Sequence, residues 1–185
     1  MSTVSSSTTI PAGTWAVDPA HSNVSFAVKH MGLATVRGAF TEFDGLIEIG
    51  EDLSTARAYG RVSVDSLDTN QPQRDEHLRS PDFFDAAQYP ELRFESAAIT
   101  ALDEQTFRIT GRLTIHGVTH EIVLHAEVQG TDIDPWGNER VGLEVTGQLS
   151  RADYGMHFNQ TLVSGNLLVG DKISLALDIS AIKQA

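Results

Sequence analysis

Apolar and polar positions alternate with period two along most of this chain, the mark of half-buried β-strands. The clearest runs put Val24, Phe26 and Val28 on one face, then Phe107, Ile109, Gly111, Leu113 and Ile115. Ile122, Leu124, Ala126 and Val128 follow, then Val141, Leu143, Val145, Gly147 and Leu149, and last Ile173, Leu175, Leu177 and Ile179. Weaker runs over 36–49, 58–64, 92–99 and 159–169 add further strands, the first expected as two half-strands around Phe43-Asp44-Gly45. Turn residues such as His116-Gly117 and the 134–138 stretch Asp-Pro-Trp-Gly-Asn separate the runs, at spacings that suit antiparallel neighbours.

The stretch 69–89 breaks the alternation. Ser80-Pro81-Asp82 predicts a helix N-cap with proline in the first helical position, so one or two short helices are expected to cross between strands here. Phe83 and Phe84 are expected to plug the barrel end or the core. About eight strands with one apolar face must close on themselves to hide their edges, which predicts an all-β fold, an eight-stranded antiparallel barrel. Such a barrel is either filled by its own side chains or holds one small ligand. Small residues in the inward phase, at Gly60, Ser96, Ala98, Gly111, Ala126 and Gly147, point to unfilled volume, although glycines also mark barrel bends.

The 185 residues suffice for one domain, expected over 14–185. The polar, Ser/Thr-rich 1–13 reads as a flexible tail without the basic and apolar regions of a signal peptide, so a cytoplasmic location is expected, and a periplasmic or secreted one only if a leader is missing. A formal charge of -12 argues against nucleic-acid partners and gives no long-range pull to anionic membranes. With no run long enough to span a bilayer, stable membrane insertion is not expected. The absence of cysteine excludes disulfides and thiol chemistry.

From Trp15 onward, over about residues 14 to 182, the chain resembles the YceI family of lipocalin-like, polyisoprenoid-binding proteins. The resemblance rests on Trp15-Ala-Val-Asp-Pro-Ala-His-Ser22, Phe26-Ala-Val-Lys-His-Met-Gly32, Val36-Arg-Gly-Ala-Phe40, Arg74-Asp-Glu-His-Leu-Arg-Ser80, Gly111-Arg-Leu-Thr-Ile-His-Gly-Val-Thr119, Arg151-Ala-Asp-Tyr-Gly155 and Val169-Gly-Asp-Lys172. It implies a lipocalin-like barrel around an apolar tunnel for a long isoprenoid, quinone or other fatty chain, and it suggests a homodimer.

On that reading the ligand-binding candidates are Phe26, Val28, Phe40, Phe83, Phe84, Phe94, Phe107, Ile109, Leu113, Ile122, Leu124, Val141, Leu143, Val145, Met156, Leu175 and Leu177. A phosphorylated head would need Arg37, Arg74 or Arg151, while a neutral head such as a quinone fits the acidic surface equally well. Met31 and Met156 are candidates for a tunnel entrance.

Catalytic chemistry is a weaker reading. Asp75 could orient His77 as a general base, but anchoring of the crossover by Arg74 and Asp75 is favoured. Arg151 and Asp153 are expected as a strand-end ion pair. His116, His120 and His125 do not converge, because His120 and His125 point to opposite faces of one strand. No metal site and no cofactor are expected. An enzyme acting on a hydrophobic substrate in the same cavity is the alternative, and a ligand-free interaction protein a third reading.

Overall fold

The computed structural model describes residues 10–185. Its strands are β1 (Gly13–Val17), β2 (Asn23–His30), β3 (Ala34–Phe40), β4 (Phe43–Ile49), β5 (Arg57–Ser63), β6 (Leu67–Asp68), β7 (Glu91–Ala101), β8 (Thr106–Ile115), β9 (Val118–Ile133), β10 (Glu139–Ser150) and β11 (Lys172–Lys183). One α-helix, α1 (Pro72–Arg79), lies in the crossover between β6 and β7.

Strands β1, β4, β5, β7, β8, β9, β10 and β11 are neighbours in that order, and β1 pairs again with β11, so eight antiparallel strands close into a barrel. Strand β11 serves two partners. Its residues 181–183 face β1 and its residues 174–178 face β2. Strands β2, β3 and β6 therefore branch from the barrel as a short flap. No ladder among the described residues joins β2 to β4, which leaves a seam beside the first half of β4.

Two bulges set which side chains face inward. One falls in β7 between Ser96 and Ala98, and it reverses the phase. Ile99 rather than Ala98 then faces the core, and Ala98, expected inward, is exposed. The other lies between the β9 and β10 registers at Gly142 and Leu143. The β8–β9 hairpin turns on His116 and Gly117, both with φ in the left-handed region (55° and 71°), the geometry whose twist matches that of the strands.

Three local expectations need correction. The break before β4 falls at Thr41-Glu42, and Phe43-Asp44-Gly45 opens the strand. The helix starts earlier than Ser80: Pro72 takes the first position, the Gln71 side chain accepts the Arg74 N–H at 3.0 Å, and Ser80 is the C-cap. Residues 159–169 do not form a strand. They make isolated bridges at Thr161–Leu167 and His30–Val169, and Asn159 satisfies the Val169 backbone in place of a ladder.

The core is apolar from end to end. Ile10, Leu53 and Phe107 close one end of the main cluster, around a fully buried Trp15 whose indole N–H donates to the Pro11 carbonyl at 3.0 Å. Residues 1–9 of the expected tail lie outside the described residues. A satellite cluster of Ile115, Leu149, Tyr154 and Met156, joined by Phe84, closes the other end.

Candidate ligand-binding cavity

Between the two closed ends the inward side chains leave a cavity of about 220 Å³. Its lining includes eleven residues anticipated from the alternation: Phe26, Phe40, Phe94, Ile109, Leu113, Ile122, Leu124, Leu143, Val145, Leu175 and Leu177. It also includes Val17, Val24, Phe43, Gly45, Ile47, Ala58, Gly60, Val62, Leu92, Ile115, Leu149 and Ile179, which were not among the candidates. Their signal was present, since Phe43, Gly45 and Ile47 share one face of β4, and Ala58, Gly60 and Val62 one face of β5.

Six candidates lie elsewhere. Val28 sits half-buried on the flap, opposite Val36. Phe83 packs against His77 and Phe158, with ring centroids 5.1 and 5.2 Å away, beneath the Arg151 guanidinium. Phe84 and Met156 belong to the end-closing cluster, although Phe84 meets the lining residue Phe40 edge-on at 6.0 Å. Phe107 faces a separate apolar void of about 50 Å³ with Ile10, Leu53 and Ile99. Val141, 1% exposed, is packed in the main cluster. Strand periodicity gives the face of a residue but not its height along the barrel, which accounts for Phe107 and Val141, whereas Phe83, Phe84 and Met156 lie outside the strands and Val28 lies on the flap.

The small inward residues do not all leave space. Gly111 seats the Phe94 ring, Gly147 seats Leu124 and Gly38 seats Phe26, each so closely that a Cβ would collide. Ala126 is packed in the core, and the Ser96 hydroxyl accepts the Ala58 N–H at 2.9 Å. Gly60 differs, because a Cβ there would come no closer than 4.0 Å to Phe94. Val17, Gly45, Gly60 and Phe94 border both the cavity and a broad depression on the outer face of the barrel. This shared border, which contains the glycine pair, is the candidate mouth.

Asp44, Arg61 and Arg93 border the cavity at the mouth, although they lie on the outward phase of their strands. Arg61 pairs with Asp44 at 2.8 Å and with Glu91 at 3.5 Å, and Arg93 pairs with Glu91 at 2.8 Å. The Asp44 hydrogen bond, with the charges of Asp44 and Glu91, raises the Arg61 pKa above its ordinary value.

The arginines anticipated for a head group stand away from the cavity. Arg37 is exposed on β3. Arg74 donates to the Thr69 hydroxyl at 2.8 Å and to the Thr69 carbonyl at 2.7 Å, while buried Asp75 accepts the Thr69 N–H at 2.8 Å. These two residues anchor the crossover. His77 instead meets Asp82 at 2.8 Å, so Asp75 does not orient it. Arg151 is 4% exposed and donates to the carbonyls of Met156 and Gly170 at 2.8 Å and of Val169 at 3.3 Å. Burial lowers its pKa, partly offset by Asp171. It clamps the 156–170 segment by backbone contacts, and the expected pair with Asp153 is not formed.

Among the described residues no three His, Asp or Glu side chains converge as metal ligands. His120 meets Tyr154 edge-on at 5.3 Å, and His116 contacts the Tyr154 carbonyl at 3.0 Å. Met31 lies at the β2–β3 turn with φ 57°, away from the cavity. Trp136 is 80% exposed at the β9–β10 turn, with only its backbone N–H tied to Asp134.

The YceI-like domain profile matches residues 15–181. The chain belongs to the YceI family. A UPF0312 protein of Vibrio parahaemolyticus is 37% identical over 152 residues, covering 78% of this chain and 80% of its own length. A UPF0312 protein of Staphylococcus aureus is 35% identical over 159 residues, with 84% and 90% covered. Among solved structures, the Campylobacter jejuni YceI protein superposes with TM-score 0.72 at 28% identity, over 85% of this chain and 90% of that one. A polyisoprenoid-binding domain from Saccharophagus degradans shares the fold, with TM-score 0.70 at 15% identity, over 92% and 98%.

Proposed function

We propose that this YceI-family barrel binds a long apolar lipid, a polyisoprenoid, an isoprenoid quinone or a similar chain, for transport, storage or sequestration. The observation that carries the reading is the cavity, walled almost wholly by aliphatic and aromatic side chains and bordered by a side-chain-free glycine pair at the surface. Such a lining recognises apolar length, and each Å² of apolar ligand surface removed from water stabilises the complex by about 25 cal/mol. The polyisoprenoid binding described for the Saccharophagus degradans domain supports the same ligand class.

The volume sets the mode of binding. At about 220 Å³ the cavity is smaller than the roughly 300–1,000 Å³ of pockets that enclose a whole small molecule. It holds part of a long chain, and the remainder passes out over Gly45 and Gly60 or displaces Phe26 and Phe94 from their glycine seats. A head group at the mouth meets the paired charges of Arg61, Asp44, Arg93 and Glu91, with Arg112 on the same depression, so both a neutral and an anionic head fit there. Organic extraction of the purified protein followed by mass spectrometry tests the reading. An apolar long-chain compound near one per chain is expected, whereas protein that carries none and takes up none on incubation with isoprenoid quinone would overturn it.

A further inference from the structure

Two turns at one end of the molecule lie against each other and carry exposed aliphatic side chains. Leu33, 80% exposed, is at the β2–β3 tip. Fully exposed Val163 and Leu167, at 54%, are on the 159–170 segment. The turns are tied by backbone hydrogen bonds, from Met31 N to Leu168 O at 2.8 Å and from Gly170 N to Lys29 O at 2.9 Å.

Charge separates this face from the rest of the surface. The chain holds 25 acidic residues, yet none lies at 19–41 or at 154–170. Within those stretches the charged residues are Lys29 and Arg37. The exposed apolar residues at the opposite end, Leu102, Ile133 and Trp136, sit next to Asp103, Asp132 and Asp134. The first set has no carboxylate beside it in the chain: the nearest are Asp153 and Asp171, which bound the 154–170 stretch, and Asp82, hydrogen-bonded to the His77 ring that packs on Phe158.

We propose that the paired turns form a docking face for a lipid bilayer, with Leu33, Val163 and Leu167 entering the boundary between headgroups and acyl chains while Lys29 and Arg37 meet headgroup phosphates. Exposed aliphatic side chains flanked by Lys29 and Arg37, with no carboxylate within either turn, match a lipid surface, where apolar chains lie beneath anionic phosphates. The flap that bears Leu33 also supplies Phe26 and Phe40 to the cavity wall, so docking would bring the cavity to the membrane. The net charge of -12 opposes long-range attraction to anionic lipid, so contact is short-ranged and reversible. The inference rests on the lipid-carrier reading, but its test is separate.

The test is cosedimentation with vesicles of phosphatidylcholine and phosphatidylglycerol. Wild type is expected to bind, and the triple variant Leu33→Ser, Val163→Ser, Leu167→Ser to partition about a hundredfold less, since three aliphatic side chains lose their burial. The double variant Ile133→Ser, Trp136→Ser is expected to bind as wild type does. Val163→Trp on a Trp136→Phe background should shift its emission to the blue when vesicles are added. No binding by wild type, equal losses in the triple and double variants, or no spectral shift would each overturn docking. Lipid uptake by the same proteins in detergent reports on the cavity alone, so a cavity that fills without vesicle binding rejects this inference and leaves the carrier reading standing.

Discussion

Gly45 and Gly60 stand opposite each other across the β4–β5 ladder, both on the inward face, but they are not equivalent. A Cβ on Gly45 would lie 2.9 Å from the Tyr59 carbonyl and 3.0 Å from Val17, whereas a Cβ on Gly60 meets nothing closer than 4.0 Å. Gly45→Ala is therefore expected to destabilise the barrel by about 1–3 kcal/mol through overpacking. Gly60→Ala is expected to be neutral or stabilising by about 0.4–1 kcal/mol, because it restricts the unfolded chain without native strain. Denaturant midpoints of the two variants check the asymmetry.

Arg140 ties three separate segments together. Its guanidinium reaches Asp18, after β1, and Asp134, in the β9–β10 turn, both at 2.8 Å, and Ser180 on β11 at 3.3 Å. The hydrogen bond from Arg140, helped by that from His21, lowers the Asp18 pKa from 3.8 to about 2. Partial burial pushes Asp134 up, but hydrogen bonds from Arg140 and Asn138 outweigh it and hold its carboxyl well below the usual range. Depressed folded-state values mean stability that is present above pH 3.8 and lost as pH falls towards 2. Wild type should lose more stability than Arg140→Gln between these pH values in urea melts. Parallel loss in the two proteins would contradict the latch.

Tyr154 is 1% exposed, and its hydroxyl has no hydrogen-bond partner among the described residues. A buried unsatisfied hydroxyl costs about 1–3 kcal/mol, so Tyr154→Phe is expected to stabilise the protein by about 1 kcal/mol. Burial, with the nearby Asp153 charge, raises the phenol pKa from 10.0 to about 12. In the folded state the neutral phenol is favoured, so the stability it contributes is intact below pH 10 and lost as pH rises through the folded value. Thermal melts above pH 10 should fall more steeply for wild type than for the phenylalanine variant.

Arg151 supplies donors to three backbone carbonyls that no strand ladder serves. Arg151→Ala is expected to cost about 3 kcal/mol and to raise hydrogen exchange selectively across 156–170. Lysine should not restore it, because an ammonium cannot span three carbonyls as the planar fork does. Exchange that rises equally in the barrel strands would show that the clamp is not local.

The sequence made the barrel legible because four of its strands, β8, β9, β10 and β11, carry a half-buried alternation that survives in single-residue detail. It made the inward face legible for the same reason, except at β7. There an extra residue between Ser96 and Ala98 shifts the phase, and no local signal in Ser-Ala-Ala announces it. Arg151 was misread for a different reason. A lone arginine at a strand end looks like a surface charge, and its role depends on carbonyls up to nineteen residues away. The glycines were ambiguous for a third. Gly111 and Gly60 are alike in sequence, and only the position of Phe94 tells a filled seat from an open wall.

On the carrier reading, an apolar chain occupies the space in front of Gly60. Gly60→Leu aims a branched side chain into that space without a backbone clash. Titration of delipidated wild type and Gly60→Leu with a fluorescent long-chain lipid measures the consequence directly. Wild type is expected to bind tightly and the variant about tenfold or more weakly, with its melting temperature held. Equal affinity in both proteins would place the ligand elsewhere and rule out the cavity as its site.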